Sequence, residues 1–450
     1  MYRLIISIGF AFIVSTGVSA QDQMNFNEIN TETYRLFLAG EWDSIIVVGK
    51  KALKQDIDYY YLRLRMGIAL YNQEKYRQSE KHFKHALEFN QADPLALEYL
   101  YYAMLFSGQS EQANMVREEF RGELALRLPP VKGKAVDQFG VEFLYSKALN
   151  DEILSDPDAL FTDLPPGVQY VTRDFFNTSI SLGNSITPGI RLDHKFTYLS
   201  KNNFYYYNDG LYQLQLDPQH VKQYQYYISP SFTSHSGFTF MPMFHLISVH
   251  YQTPIYFSQG MQGGSPRVAW GYSDNLDLVS GLNVLKTAGS LELNLGAWYA
   301  KLNNLQQVQN RLGLTWYPRG NLNFYLGAYL NSQYEMTDST GLLRIIPEIH
   351  AGFSIAQKIW LDLNGAFGDM TNYLEQNGSI IFNSFSDVIQ KKVGLTISVP
   401  LTEKGSLVYL GGRWTEHQSN FYPLYPANNE LSNSITYNAI SIYGGVSWKF

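Results

Sequence analysis

An α+β chain of two domains, with a helical solenoid followed by a transmembrane antiparallel β-barrel of about fourteen strands, is the fold class this sequence predicts. Three observations predict it. Apolar residues recur at helical spacing from residue 30 to about 128. Beyond that point they alternate with polar residues at a period of two, to the end of the chain. The connections between the alternating segments are short and long in turn, which is the habit of a barrel set in a bilayer.

The first element is a leader. "MYRLIISIGFAFIVSTGVSAQ" has one Arg, about a dozen apolar residues, and then the small residues Val18, Ser19 and Ala20. Residues 1–20 read as a cleaved secretory signal with Gln21 as the first mature residue, because the apolar run is short for a bilayer helix. No Cys follows it, which excludes a lipoprotein anchor, and the chain has no Cys at all. A disulfide framework, a thiolate metal site and a cysteine nucleophile are therefore excluded.

Residues 21–128 form the helical domain. In "RMGIALYNQEKYRQSEKHFKHALEFNQADP", Gly67, Leu70, Tyr76, Ser79, Phe83 and Ala86 are placed as in the tetratricopeptide repeat, which this stretch resembles. A step back of 34 residues finds Leu36, Trp42 and Ala52, and a step forward finds Ala113, although Arg117 then stands in the position of Phe83. Arg63 departs from the large apolar residue that the family prefers. About three repeats are expected, the number a stable stack requires. The resemblance implies a concave face built from Tyr61, Tyr71, Asn72, Glu98 and Tyr102, and a periplasmic protein partner bound there. A plain spacer is the competing reading.

Residues 129–137, within "LPPVKGK" and after it, read as a linker, and 138–450 as the barrel. In "SLELNLGAWYAK", Leu291, Leu293, Leu295, Ala297 and Tyr299 face one way, and Glu292, Asn294 and Gly296 the other. "NLNFYLGAYL" and "IWLDLNGAF" repeat the pattern at lengths suited to tilted bilayer-crossing strands. Short connections near 233–237, 286–289, 317–320, 356–358 and 402–405 alternate with mostly longer ones near 148–169, 200–222, 252–274, 334–342, 369–387 and 417–434. Both chain ends then fall on the short-turn, periplasmic rim of an outer-membrane barrel.

Composition agrees. Aromatic residues make up 15% of the chain and charged residues only 16%, which suits strands with one face in lipid. A net charge of -6 excludes the basic footprint that nucleic acid requires. The polar phase, which faces the lumen, collects Arg191, Asp193, Lys195, Glu292, Arg311, Arg344, Glu348, His350, Asp362, Lys392 and Arg413. Because both signs are mixed, cross-strand pairing is expected in preference to a charge-selective path. His82 and His85 lie one turn apart on a helix without a third ligand, and His245 and His250 have opposite parity. No cofactor fingerprint and no metal site emerge. The stretches 202–215 and 419–434, rich in Tyr, Phe and Asn, are expected to be loops that form an aromatic girdle and cap, or that stack on sugars.

The last strand, "NAISIYGGVSWKF", places Ile442, Val446, Trp448 and Phe450 on the lipid side. It resembles the assembly signal of Gram-negative outer-membrane proteins, which implies the insertion machinery and outer-membrane lipid as partners. "HQSN" resembles the His-x-Ser-Asn element of outer-membrane phospholipase A and of lipid A deacylase, which would make His417 a base and Ser419 a nucleophile. Phe421 and the lumenal parity of these residues both depart from those enzymes, so an enzyme is not the reading adopted. The domain order is similar to that of the exporters of cellulose and poly-N-acetylglucosamine. It implies export or transport of an envelope substrate such as polysaccharide, with a non-conducting anchor or scaffold as the alternative.

Overall fold

The computed structural model describes residues 25–450 apart from 151–165, 211–212, 258–266, 337–340, 357, 382–386, 403–404 and 424–433. The expected signal segment and most of 419–434 lie outside the described residues. Seven helices come first: α1 (Phe26–Leu38), α2 (Trp42–Leu53), α3 (Tyr60–Asn72), α4 (Tyr76–Phe89), α5 (Pro94–Phe106), α6 (Ser110–Arg117) and α7 (Gly122–Arg127). Local chemistry sets their starts. Asn25 and Glu28 form a reciprocal capping box on α1, and Asp93 accepts from the Ala96 amide ahead of Pro94 on α5. Helices α1 to α6 each pack on the next, and α3 also touches α1 and α5, giving a stack of hairpins.

Small residues decide how closely the helices cross. A Cβ on Gly67 would lie 2.6 Å from the Phe83 ring, and one on Gly49 would lie 2.3 Å from the Met66 sulfur. Ala52, Ser79, Ala86 and Ala113, the residues in repeat register, are all fully buried. One apolar cluster joins α1, α2 and α3 through Ile29, Ile45, Leu62 and Met66, and a second joins α3 to α7 through Leu64, Phe83, Leu100 and Phe120.

The barrel strands are β1 (Lys134–Ala148), β2 (Gly167–Thr187), β3 (Ile190–Asn208), β4 (Gln213–Thr233), β5 (Phe238–Phe257), β6 (Arg267–Ala288), β7 (Leu291–Leu302), β8 (Leu305–Trp316), β9 (Phe324–Met336), β10 (Leu342–Ile355), β11 (Ile359–Phe367), β12 (Asp387–Pro400), β13 (Leu407–Ser419) and β14 (Ile435–Lys449). All neighbours are antiparallel, and β1 pairs with both β2 and β14, so the sheet closes on itself. The 15-stranded sheet consists of these fourteen and a three-residue strand, Phe421–Pro423, which takes over as partner of β2 beyond the end of β1. The first strand begins at Lys134 rather than near 138, because Lys134 already pairs with Ser185 of β2.

The outer surface identifies the surrounding medium. Leu293, Leu295, Leu312, Ile345, Ile349, Leu395, Leu410 and Ile442 are all between 41% and 58% exposed, at alternate positions. No water-facing surface carries apolar area on this scale. Phe232, Phe238, Trp316, Trp448 and Phe450 are exposed at the short-turn rim, as in an interfacial aromatic girdle.

The wall is uneven. Strands β2 to β6 have between 19 and 22 residues, whereas a bilayer crossing requires about ten. Strands β7 to β13 have between 9 and 14. The stretch 202–215, expected as a loop, is instead mostly the ends of the β3–β4 hairpin, with Tyr205 and Tyr206 buried. The excess length rises on the long-loop side, where the outer face turns polar and exposed His250 bonds Asp274.

The helical stack is fastened to the short-turn rim. The amide of Arg77 donates to the Gly320 carbonyl at 2.9 Å, its guanidinium lies 3.8 Å from the Tyr317 ring centre, and Asn321 donates to the Glu74 carbonyl at 3.1 Å. Gly320 has φ of 72°, so its backbone requires glycine, and a Cβ there would displace the Gln78 amide that now lies against it.

Two outcomes test the stack. Gly67→Val forces its side chain into the Phe83 ring and should cost about 1–3 kcal/mol of helical-domain stability, read from the 222 nm melt of the full chain. His82 is held down to about 4 by burial, and next by the Arg63 guanidinium 3.5 Å away. A depressed histidine binds its proton in the unfolded chain first, so stability is lost as pH falls from 6.5 to about 4. His82→Gln should flatten that dependence in the same melt.

Candidate functional site

A barrel lumen this wide must be filled by side chains, by water or by chain, and here chain enters it. Residues 368–381, between β11 and β12, fold into the lumen instead of leaving the rim as a loop. Gly368, Asn372, Gln376, Asn377 and Gly378 all have positive φ, which lets the segment turn back repeatedly. An irregular segment inside a barrel must find partners for its own backbone. A row of inward-facing amides supplies them. Gln333 donates to the Thr371 carbonyl at 2.7 Å, Gln307 to Asn372 at 2.8 Å, Gln309 to Leu374 at 3.0 Å and Gln225 to Ile381 at 3.1 Å. Gln309 also accepts from the Leu374 amide at 3.1 Å, and the His245 ring lies 2.8 Å from the Gly378 carbonyl.

Charge fastens the opposite side. Glu375 pairs with Lys392 at 2.8 Å, and Asp369 pairs with Arg344 at 3.0 Å. The Tyr373 hydroxyl donates to Glu348, which also pairs with Arg311 at 2.9 Å. The contacts reach β4, β5, β8, β9, β10 and β12, so the segment spans the lumen as a plug.

Apolar packing completes the seal. Leu374 and Ile381 join a buried cluster with Met243, Ile247, Val279 and Trp298. Trp298 rests in a cradle of two glycines, Gly296 two residues before it on β7 and Gly281 opposite it on β6, since a Cβ on either would lie 2.0 or 2.2 Å from the indole. This cluster was readable but missed. Trp298, Ala300 and Leu302 continue the inward phase of β7 after Glu292, Asn294 and Gly296, and an inward phase that turns apolar requires something apolar inside the lumen.

A cavity lies on each side of the plug. On the short-turn side, about 370 Å³ is lined by Arg311, His350, Asp362, Arg413, Tyr409 and Tyr443, with Glu375, Gln376 and Ile380 of the plug as its roof. Tyr rings lie over facing glycines there, Tyr325 on Gly352 and Tyr443 on Gly411. On the long-loop side, about 380 Å³ is lined mainly by tyrosine and amide side chains of the high wall and of the β7–β8 turn.

Most of the expected lumenal charges are arranged as pairs, whereas Asp362 accepts from the Tyr325 hydroxyl and Arg413 lies 5.6 Å from the Tyr443 ring centre. Besides those on the plug, Arg191 pairs with Asp137 and Asp193 at 2.8 Å, Lys195 with Glu142 at 3.6 Å, and Arg344 with Glu335 at 2.9 Å. His245 is buried and inward, and His250 is exposed on the outer face. His82 meets Arg63 and His85 meets Glu88, and no group of three metal-ligating side chains occurs among the described residues.

His417 and Ser419 do not form a base and nucleophile pair. The His417 Nε2 lies 2.9 Å from the Thr415 hydroxyl, its Nδ1 lies 3.6 Å from Asp387, and its ring stacks on Tyr437. Ser419 donates to the Tyr170 carbonyl at 2.6 Å. The adjoining cavity of about 30 Å³ has room for about one water and none for an acyl chain.

The expected concave-face residues divide into two groups. Tyr61 is 57% exposed, beside Arg65 and Tyr34. Tyr71 packs edge-on against Tyr76 and Tyr99, Tyr102 stacks on Phe106, Glu98 pairs with Arg127 at 2.8 Å, and Asn72 donates to the Ile68 carbonyl at 2.8 Å. Of the terminal-strand set, Ile442, Trp448 and Phe450 are exposed on the outer face, and Val446 pairs with Val141 of β1.

No family model and no curated protein matches the chain. Among solved structures, the Pseudomonas putida toluene transporter TodX is similar at 10% identity and a TM-score of 0.44, over 74% of this chain and 95% of that one. A Pseudomonas aeruginosa FadL homologue is similar at 8% identity and 0.42, over 70% and 90%. A bacterial polysaccharide outer membrane secretin is similar at 6% and 0.32, over 69% and 98%. At these values the likenesses carry no functional assignment.

Proposed function

We propose that the chain is an outer-membrane transport barrel whose lumen is held shut at rest by residues 368–381, and whose short-turn rim, with the helical stack, faces the periplasm. The observation that carries this reading is the plug with a polar cavity on either side of it. A wall built only as an anchor has no need of cavities stacked along its axis. Beyond Gly368 and Met370, whose amides donate to carbonyls of β12, the plug is held by side-chain amides and ion pairs rather than by strand pairing. The substrate is an envelope component, polysaccharide being the class that the domain order suggests.

The helical stack, read as tetratricopeptide-like, receives a periplasmic protein on its concave face. Tyr61 is its most accessible aromatic, whereas Tyr71 and Tyr102 serve the packing of α3, α4 and α5. The terminal residues Ile442, Val446, Trp448 and Phe450 act as the assembly signal read by the insertion machinery. The alternative, a non-conducting scaffold, is favoured by the filled lumen and by the clasp between Arg77 and the β8–β9 turn.

Conductance separates the two readings. In planar bilayers the intact chain should conduct rarely, and a variant with residues 369–381 replaced by a short Gly-Ser linker should open stable channels. Glu375→Gln combined with Tyr373→Phe should raise the frequency of opening without deletion. A linker variant that shifts on heating like a folded barrel yet passes no current establishes the scaffold instead. Co-purification from outer membranes should yield a stoichiometric periplasmic protein, reduced in amount by Tyr61→Ala. Deleting Phe450 should lower the inserted yield, read as the heat-shifted band.

A further inference from the structure

The cavity on the long-loop side of the plug has a chemistry of its own. Eleven residues line it, of which five are Asn or Gln, three are Tyr, two are Val and one is Lys, with no carboxylate. The amides come from separate elements: Asn203 from β3, Gln219 from β4, Asn275 from β6, and Asn303 and Asn304 from the β7–β8 turn. Tyr170, Tyr251 and Tyr422 add aromatic surface to the same space. An amide offers one donor group and one acceptor, as a hydroxyl does in smaller form.

Several of these groups are already held in place. Asn203 donates to Gln219 at 2.9 Å, Gln219 to the Gln252 carbonyl at 2.6 Å, Asn275 to Asp277 at 2.5 Å, and Asn303 to Asn372 of the plug at 3.0 Å. Asn203 is 5% exposed, and its Oδ1 has no hydrogen-bond partner among the described residues. A buried acceptor left unmet is costly, and a turn of the Asn203 side chain into the cavity that it lines would bring this oxygen to a ligand hydroxyl.

We infer that this cavity is a binding site for a neutral sugar, of the size of one or two residues of a glycan. This rests on the transport reading above and names its substrate class. A hydrocarbon would leave the remaining donors and acceptors of these amides unmet, which sites built to hydrogen-bond their ligand reject strongly. A polyanion would meet a single cation. A pyranose matches both features, because its hydroxyls pair with amides at their edges and its C–H faces lie on tyrosine rings. The volume falls within the range of small-molecule sites. The Asn303 contact to Asn372 joins the site to the plug, so an occupant sits directly on the element that closes the lumen.

The test is direct binding to the full chain purified in detergent, by ligand-observed NMR and calorimetry. The probes are cellobiose, maltose and N,N′-diacetylchitobiose, with toluene as the apolar probe. At least one disaccharide should bind, and Asn203→Ala and Tyr251→Ala should each weaken it about tenfold or more, the effect of one lost partner near 1.4 kcal/mol. Both variants should keep the heat-shifted mobility of a folded barrel. Binding of none of the three sugars, binding of toluene alone, or sugar binding indifferent to both substitutions overturns the inference. Because binding is read without current, an open channel in the linker variant together with no sugar bound leaves transport standing and removes only the sugar.

Discussion

The pairing of β14 with β1 is the contact on which the rest of the structure depends. In a hydrocarbon medium no strand edge can be left without partners, so the sheet must close. Closure fixes the other constraints in turn. The even count sets both ends of the chain wall on one rim, outward positions become apolar, and inward positions are left with a space that apolar side chains alone do not fill. The plug answers that last requirement and inherits it in another form, because a segment without regular structure brings its own unmet carbonyls. The inward amides of β4, β8 and β9 meet them. One demand, that backbone polar groups find partners, thus runs from the lipid face to the axis.

Much of this was legible in the sequence because it follows from period. The switch from helical to alternating spacing near 128, the strand number and the short-turn rim are local patterns that survive in any surroundings. The repeat positions Gly67, Ala52, Ala86 and Ala113 were readable for the same reason, since close helix crossing admits only small side chains. The lumenal charges were placed by parity alone.

What was not legible depends on where a segment lies rather than on what it contains. The sequence of 368–381 is rich in turn residues and reads as one more loop, yet Leu374 and Ile381 require the apolar surface that Trp298 and its neighbours provide, and Met370 that of Ile346 and Ala366. In 202–215, tyrosines that suit a loop also suit a twisted hairpin, and the hairpin prevailed because β4 offered a ladder of partners. His417 and Ser419 kept the expected parity, but tertiary neighbours chose their bonds: Thr415 took the imidazole and the Tyr170 carbonyl took the hydroxyl. The five amides at the long-loop cavity come from four separated parts of the chain, and no spacing announces them.

The clasp at the β8–β9 turn has a mechanical consequence. Arg77 and Glu74 grip one end of a hairpin, residues 317–323, while Gln307, Gln309 and Gln333 on the same two strands grip the plug. A β-hairpin is stiff along its length and soft in shear between its strands. Tension applied to the helices therefore enters the wall at this hairpin and travels along it to the three amides. One load path from the helices to the plug thus runs through this pair of strands, and a slide of one against the other would strain the three amide contacts together.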